Sequence, residues 1–204
     1  MKIIAVERNY APYKKELTNG TINKNPIIFM KPDSAILKNG NPFFIPNFSK
    51  EIYYEAELVV RICRLGKTIG SQFAYRYYDA VTVGIDFTAR DLQNRFQKEG
   101  LPWELSKGFD SSAAIGTFVP VENYTDIQNL NFHLDIDNST VQQNCAANML
   151  YTIDNIIEYV SQFYTLKMGD LLFTGTPIGI GPVSIGEHLQ GYIEDEKLLD
   201  FYIR

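Results

Sequence analysis

Two glutamates, Glu55 and Glu57, stand one residue apart in a stretch that is otherwise apolar and rich in β-forming side chains, YYEAELVV. Because successive side chains of a strand point to opposite faces, these two carboxylates share a face and repel each other unless a cation lies between them. Asp86 offers a third carboxylate near the end of a second strand-like segment, AVTVGIDF. Three oxygen ligands with open coordination positions suit Mg²⁺ or Mn²⁺ better than Zn²⁺, which prefers His and Cys.

The same spacing has a second interpretation that involves no metal. Carboxylates that alternate along a strand are common where one face of the strand is exposed to water. The spacing alone favours this interpretation over a metal site.

The elements that would position these residues are two strands and a helix. The pattern predicts one strand over residues 52–62 and another over AVTVGIDF, followed by the amphipathic helix DLQNRFQKEG, which Thr88 and Asp91 open with the spacing of a capping box. Arg90 and Gln93 then lie on the opening turn behind Asp86, where they could reach the oxygens of a substrate. Solvation on the helix surface is the alternative for both.

Farther along, the segment NFHLDID followed by Asn138 predicts a hairpin. Apolar residues at helical spacing behind Thr152 predict a core helix over 153–163. Short strands are predicted from Glu187 to Ile203. With 204 residues, 45% of them hydrophobic, the chain is expected to form one domain over residues 1–204.

Composition excludes several classes of partner. The formal net charge is −5 and no long run of Lys and Arg is present, so no nucleic-acid partner is expected. The sequence contains no run of about 18 apolar residues, which is the length that a membrane-spanning helix needs. No membrane partner is therefore expected either. The N-terminus lacks the features of a signal peptide, which predicts a cytoplasmic protein. Two cysteines far apart indicate neither a disulfide framework nor a thiolate metal site.

Four strings, YYEAELVV, GIDFTARDLQ, GLPWELSKGFD and FTGTPIGIGP, resemble the motifs of the fumarylacetoacetate hydrolase superfamily in order and separation. The likeness is greatest to its short acylpyruvase-type and 2-hydroxyhepta-2,4-diene-1,7-dioate isomerase-like members, and it covers nearly the whole chain. The resemblance implies a mixed, mainly β (α+β) fold, like the C-terminal domain of that family: a β-roll or distorted barrel with few helices. It also implies a homodimer.

The resemblance assigns roles to individual residues. Glu55, Glu57 and Asp86 become the ligands of Mg²⁺ or Mn²⁺, and Lys107 becomes a catalytic cation that neutralises charge developing on a 2-oxo acid. Arg90, Gln93 and Thr176 become substrate-binding residues, Thr176 through the hydroxyl and backbone N–H groups of its Thr-Gly-Thr-Pro turn. Without the motifs, a surface lysine and a plain β-turn are the alternative interpretations for Lys107 and Thr176.

The sequence departs from the family at a lid segment expected over about residues 7–20. Hydrolytic members carry a His and a Glu three residues apart there, and the pair is thought to activate water. Glu16 matches the Glu, whereas Tyr13 occupies the His position. A phenol with a pKa near 10 is a poor base at neutral pH, although it can orient a carboxylate or bind substrate.

The resemblance therefore implies a divalent-metal-dependent hydrolase that cleaves a C–C bond in acylpyruvate-like 2-oxo acids, with Glu16 activating water. Oxaloacetate-type decarboxylation or keto–enol isomerisation at the same site is the alternative, and Tyr13 favours it. A catalytically weak protein that binds a 2-oxo acid is a further alternative.

Overall fold

The computed structural model of the chain describes residues 1–10, 25–38 and 40–204. It is 40% strand and 21% helix, and its largest sheet curls into a half-barrel, which confirms the predicted mainly β fold. The strands of the first half are β1 (Ile3–Glu7), β2 (Ile27–Lys31), β3 (Ile36–Lys38), β4 (Ile52–Tyr54), β5 (Ala56–Ile62), β6 (Tyr78–Asp86) and β7 (Thr88–Ala89). The later strands are β8 (Ala113–Ile115), β9 (Val119–Pro120), β10 (Asn131–Ile136), β11 (Ser139–Cys145), β12 (Leu171–Phe173), β13 (Gly181–Pro182), β14 (His188–Ile193) and β15 (Glu196–Tyr202). The helices are α1 (Ser71–Ala74), α2 (Arg90–Glu99) and α3 (Ile153–Phe163).

The half-barrel sheet has the strand order β2-β1-β12-β5-β6-β8-β3, with β9 paired to β6. The pairs β1/β12 and β3/β8 are parallel, and the other neighbours are antiparallel. A second sheet has the order β11-β10-β14-β15, and a third the order β13-β4-β7. The first strand of the chain therefore lies beside a strand from its last quarter.

The two faces of the half-barrel belong to different apolar clusters. One cluster contains Ile4 and Val6, and the other contains Ile3, Ala5, Phe29, Val59 and Phe173. We call the face that carries this second cluster the site face. Side-chain alternation along β1, β2 and β5 places three further residues on the site face: Glu7, Lys31 and Glu57.

Gly84 extends the site face onto β6. A Cβ atom on Gly84 would lie 2.7 Å from Cγ2 of Val59 and 2.8 Å from the carbonyl oxygen of Ala114. Asp86 follows two residues later on the same strand and so points to the same face. The fold thus directs four ionisable side chains towards one region.

The close contacts at Gly84 predict that Gly84→Ala destabilises the protein. The added methyl group would overpack the sheet and lower the free energy of unfolding by about 1–3 kcal/mol. Urea unfolding measures the change. Ser139→Ala, at an exposed strand position, serves as the control, with an expected change of about 0.5 kcal/mol or less. Unchanged stability in Gly84→Ala would contradict the packing described for this face.

Two predicted elements are confirmed. Helix α3 spans Ile153–Phe163, and Thr152 and Asn155 form a capping box at its start. The hairpin of β10 and β11 turns at Asp137 and Asn138, whose φ angles are +50° and +65°. Across the described residues, none of the helices combines the length and apolar character needed to cross a bilayer.

Two local predictions were wrong. The strand predicted over 52–62 is interrupted at Glu55, which lies between β4 and β5. Thr88 does not cap α2, because the residue before the helix is Ala89 and makes no side-chain capping bond. The Thr88 hydroxyl instead donates to Oε1 of Glu55 at 3.0 Å. Of the predicted lid over residues 7–20, Glu7 ends β1, and residues 11–20 lie outside the described part of the chain.

Candidate functional site

Three carboxylates meet where β5 begins and β6 ends. One carboxylate oxygen from each of Glu55, Glu57 and Asp86 lies within 4.8 Å of the others. The antiparallel pairing of β5 with β6, which sets Ala56 opposite Ile85, brings them together. The three residues are 6%, 1% and 0% exposed, so the interpretation as a solvent-exposed strand face was wrong.

Lys107 lies among these carboxylates. It follows a short 3-10 helix over Glu104–Ser106, and its Nζ donates to Oε2 of Glu55 at 2.9 Å and to Oδ2 of Asp86 at 2.8 Å. Burial by itself lowers the pKa of this lysine, but Asp86 and Glu55 outweigh burial and raise the pKa above its usual value. Lys107 is therefore a buried ammonium group and not a surface lysine.

Lys31 is a second buried cation, which the sequence analysis missed. Its Nζ lies 2.5 Å from Oδ1 of Asp86 and donates to the carbonyl oxygen and to Oγ of Ser112, each at 3.1 Å. It also donates to the carbonyl oxygen of Lys107. Burial lowers the pKa of Lys31, and Asp86 opposes this effect. One feature of the sequence could have indicated Lys31. It ends an apolar strand-like run, at a position that shares a strand face with Phe29.

Arg90 and Gln93 approach the carboxylates from the first turn of α2. Nη2 of Arg90 lies 2.5 Å from Oε1 of Glu55, and Nη1 donates to Oε1 of Gln93. Gln93 is 1% exposed, so solvation on the helix surface does not describe it. Nε of Arg90 and Nε2 of Gln93 are buried without an acceptor among the described residues. Buried donors of this kind are costly unless something accepts from them, and oxygens of a ligand are suitable acceptors.

The turn after β12 holds Glu57 in place. The backbone N–H of Gly175 donates to Oε2 of Glu57 at 2.6 Å. Gly175 has a φ of +98°, and a Cβ atom there would lie 2.6 Å from Cβ of Asn9, so this position requires glycine. Burial, followed by the charge of Asp86, raises the pKa of Glu57 well above its usual value, against the opposing bond from Gly175. Without a cation beside it, Glu57 is thus poorly stabilised as a carboxylate.

Thr176, in the same turn, uses its hydroxyl group within the protein. Oγ1 donates to the carbonyl oxygen of Ala56 at 2.9 Å and accepts from Nε2 of Gln142 at 3.1 Å. The hydroxyl proton of Thr176 is therefore used in a hydrogen bond within the protein. The side chain nevertheless lines the cavity described in the next paragraph. Thr176 fixes the Gly175 turn to the start of β5. The sequence analysis did not predict this hydrogen bond.

A cavity of about 180 Å³ opens beside the carboxylates. It is lined by Val6, Glu7, Arg8, Glu55, Arg90, Thr176 and Ile180. Glu7 is the second residue that the sequence analysis missed. Burial raises the pKa of Glu7, against the opposing charge of Lys107. No sequence motif distinguishes it, because it becomes part of the site only through the pairing of β1 with β12.

The donor set fits a hard divalent cation. Three buried carboxylate oxygens within 4.8 Å of one another repel, and a divalent cation between them would remove that repulsion. Lys31, Lys107 and Arg90 lie around the triad and would favour an anionic ligand next to it. Tyr13 and Glu16 lie outside the described residues, and their predicted roles stay predictions.

The chain is similar to known proteins over most of its length. The family model for the C-terminal part of fumarylacetoacetate (FAA) hydrolase matches residues 2–203. A mitochondrial oxaloacetate tautomerase of Mus musculus is 35% identical over 202 residues, covering 99% of this chain and 91% of the relative. A mitochondrial oxaloacetate decarboxylase of Dictyostelium discoideum is 38% identical over 187 residues, covering 91% and 85%. The structure of fumarylpyruvate hydrolase from Pseudomonas aeruginosa, in complex with Mn²⁺ and pyruvate, superimposes with a TM-score of 0.92 at 31% identity, covering 100% of this chain and 89% of that one.

Proposed function

Because the chain belongs to the fumarylacetoacetate hydrolase family, we propose that it is a divalent-metal-dependent enzyme that enolises a small 2-oxo acid. Keto–enol tautomerisation of an oxaloacetate-type substrate is the first candidate reaction. The observation that carries the proposal is the buried triad of Glu55, Glu57 and Asp86 with Lys107 bonded to two of its members. This arrangement joins a cation-binding oxygen cluster to an ammonium group beside a small cavity.

The proposal gives a role to the polar groups in the cavity wall and next to it. Glu55, Glu57 and Asp86 would hold Mg²⁺ or Mn²⁺, which when bound supplies Lewis acidity that stabilises negative charge on a substrate oxygen. Lys107 keeps its proton and can stabilise the same charge through a hydrogen bond. Nε of Arg90 and Nε2 of Gln93, which have no acceptor within the described part of the chain, would orient the substrate carboxylate.

Two arguments rank enolisation above C–C hydrolysis. Hydrolysis requires a group that activates water, and Tyr13 replaces the His of the family's lid pair. Tautomerisation and decarboxylation require no activated water, and the described cations can stabilise the charge that develops on the 2-oxo oxygen. Relatives that match nearly the whole chain are named as an oxaloacetate tautomerase and an oxaloacetate decarboxylase.

Hydrolysis of an acylpyruvate, with Glu16 activating water, is the second candidate. It is favoured by the likeness to a fumarylpyruvate hydrolase over the whole of this chain. That protein's structure contains Mn²⁺ and pyruvate, which are the type of ion and of 2-oxo acid that this cavity suits.

The test compares reactions on metal-stripped protein before and after Mg²⁺ or Mn²⁺ is added. Loss of the oxaloacetate enol is followed by its ultraviolet absorbance, and pyruvate release is measured from oxaloacetate and from acetylpyruvate. Metal-dependent enol loss without pyruvate release supports tautomerisation. Pyruvate from oxaloacetate indicates decarboxylation, and pyruvate from acetylpyruvate indicates hydrolysis. A rise in melting temperature with oxalate, but no turnover of either substrate, would mean that the protein only binds 2-oxo acids.

Three wider expectations accompany the proposal. We propose that residues 1–204 act as one catalytic domain, because β1 and β12 share a sheet with β5 and β6, which carry Glu57 and Asp86. The homodimer implied by the family stays a prediction. So does the cytoplasmic location, since two of the relatives are named as mitochondrial proteins.

A further inference from the structure

Glu7 places a fourth carboxylate at the site, outside the metal-binding triad. It is the last residue of β1 and points to the site face, as does Glu57. Its side chain is 17% exposed and lines the cavity together with Glu55, Arg90 and Thr176. The charges of Lys107, Glu55 and Asp86 all act on it, so its carboxylate lies within the electrostatic reach of the reaction centre.

The triad carboxylates accept hydrogen bonds, whereas Glu7 has no hydrogen-bond donor among the described residues. Glu55 accepts from Lys107 and Arg90, Asp86 from Lys107, and Glu57 from the Gly175 backbone. Among the described residues, Glu7 has one charged contact, with Nε of Arg8 at 3.7 Å, and Arg8 is 39% exposed. Ion pairs of such length and exposure are weak.

The backbone next to Glu7 is also unusual. Arg8 has a φ of +56°, in the left-handed region that side chains other than glycine rarely adopt. Such strain costs energy and is found most often at sites of function. Here it falls at the end of β1, where the chain leaves the sheet beside the cavity.

We propose that Glu7 is the catalytic base that takes a proton from C3 of the bound 2-oxo acid. This assignment rests on the proposed function. The C3–H bond breaks and an O–H bond forms on Glu7, while the C–H electron pair becomes the C2=C3 double bond. The carbonyl π pair moves onto the C2 oxygen, where Lys107 stabilises it. That oxygen takes a proton from water as the enol leaves, and Glu7 releases its proton to water.

Among the described residues, the other ionisable groups in the cavity wall and beside it are unsuited to this step. The guanidinium groups of Arg8 and Arg90 have no lone pair available to accept a proton. Glu55 already bonds two cations, and Lys107 is engaged as a donor to Glu55 and Asp86. Burial raises the pKa of Glu7, and a higher pKa makes a carboxylate a stronger base. The base and the stabilising cation then act on C3 and on the C2 oxygen, which are both bonded to C2.

The experiment follows exchange of C3 hydrogens for deuterium in pyruvate and in oxaloacetate, by NMR in D₂O with saturating Mg²⁺. The proteins are the wild type, Glu7→Gln, Glu7→Asp and the exposed control Glu196→Gln. In Glu7→Gln the exchange rate at saturation is expected to fall by about 10²–10⁴-fold, the usual contribution of a general base. KM and the Mg²⁺-induced rise in melting temperature should stay near the wild-type values, and Glu7→Asp should keep part of the exchange.

The outcomes separate the base assignment from the proposed function. If the wild type exchanges and Glu7→Gln does so within about threefold, Glu7 is not the base and the proposed function stands. If Glu7→Gln also loses the Mg²⁺-induced rise in melting temperature, Glu7 acts in metal binding and the assignment is overturned. If the wild type exchanges neither substrate, the proposed function fails and the assignment fails with it.

Discussion

Replacing Glu57 with glutamine is expected to remove the Mn²⁺-induced rise in melting temperature without destabilising the metal-free protein. In the metal-free protein, Glu57 is buried near two other carboxylates, and burial raises its pKa well above the usual value. A glutamine oxygen can still accept from the Gly175 N–H group, which now bonds Glu57 at 2.6 Å. The substitution therefore removes a buried carboxyl group that is poorly stabilised in its charged form but keeps the hydrogen bond.

The metal-bound protein should respond in the opposite direction. A ligand at a hundred times its Kd stabilises a protein by about 2.7 kcal/mol, which for a chain of this size corresponds to about 5–10 °C in melting temperature. Glu57→Gln should lose most of that rise because one of the three proposed carboxylate ligands is gone. Metal-dependent turnover should fall by roughly 10³-fold, since stabilisation of substrate charge by a metal contributes several kcal/mol.

Differential scanning fluorimetry with and without Mn²⁺, together with the enol assay, measures both effects. Asp79→Asn is the matched control, because Asp79 is an exposed carboxylate paired with Arg61 away from the triad. The control should keep both the Mn²⁺ response and the activity. A full Mn²⁺ response in Glu57→Gln would show that the triad does not hold the cation.

The elements of the fold were predictable where one local signal sufficed. Thr152 with apolar residues at helical spacing defined α3, and Asp137 with Asn138 defined the hairpin turn. Both signals depend on backbone preferences that act within a few residues. The interruption of the strand at Glu55 was not predictable in this way. Glu55 accepts hydrogen bonds from Arg90 on α2 and from Lys107, and both residues are distant from it in sequence.

The site was predictable only for residues that belong to motifs. The motifs supplied Glu55, Glu57, Asp86 and Lys107, which the fold brings together. Glu7 and Lys31 belong to none of the four motifs. They reach the site because β1 pairs with both β2 and β12, so that β12 joins this part of the sheet to β5. The alternation of side chains along a strand indicates which residues share a face, but it does not indicate which distant strand pairs with it.

Lys31→Met is expected to destabilise the protein by about 3–5 kcal/mol, the usual effect of removing one partner from a buried ion pair. Lys31 is 2% exposed, and its Nζ lies 2.5 Å from Oδ1 of Asp86. Methionine fills similar space but donates no hydrogen bond, so the carbonyl oxygen of Ser112 also loses a donor. Urea unfolding measures the loss, with the exposed Lys50→Met as control.

A second variant separates the ion pair from simple packing. If the loss comes from an uncompensated charge on Asp86, adding Asp86→Asn to Lys31→Met should recover at least about 1 kcal/mol of it, although each single change destabilises. If the loss came from packing defects, the destabilising effects of the two substitutions would instead add up or exceed their sum. A double variant less stable than either single variant would therefore contradict the electrostatic explanation. Recovery would show that the loss in Lys31→Met comes from the buried charge of Asp86 left without its partner.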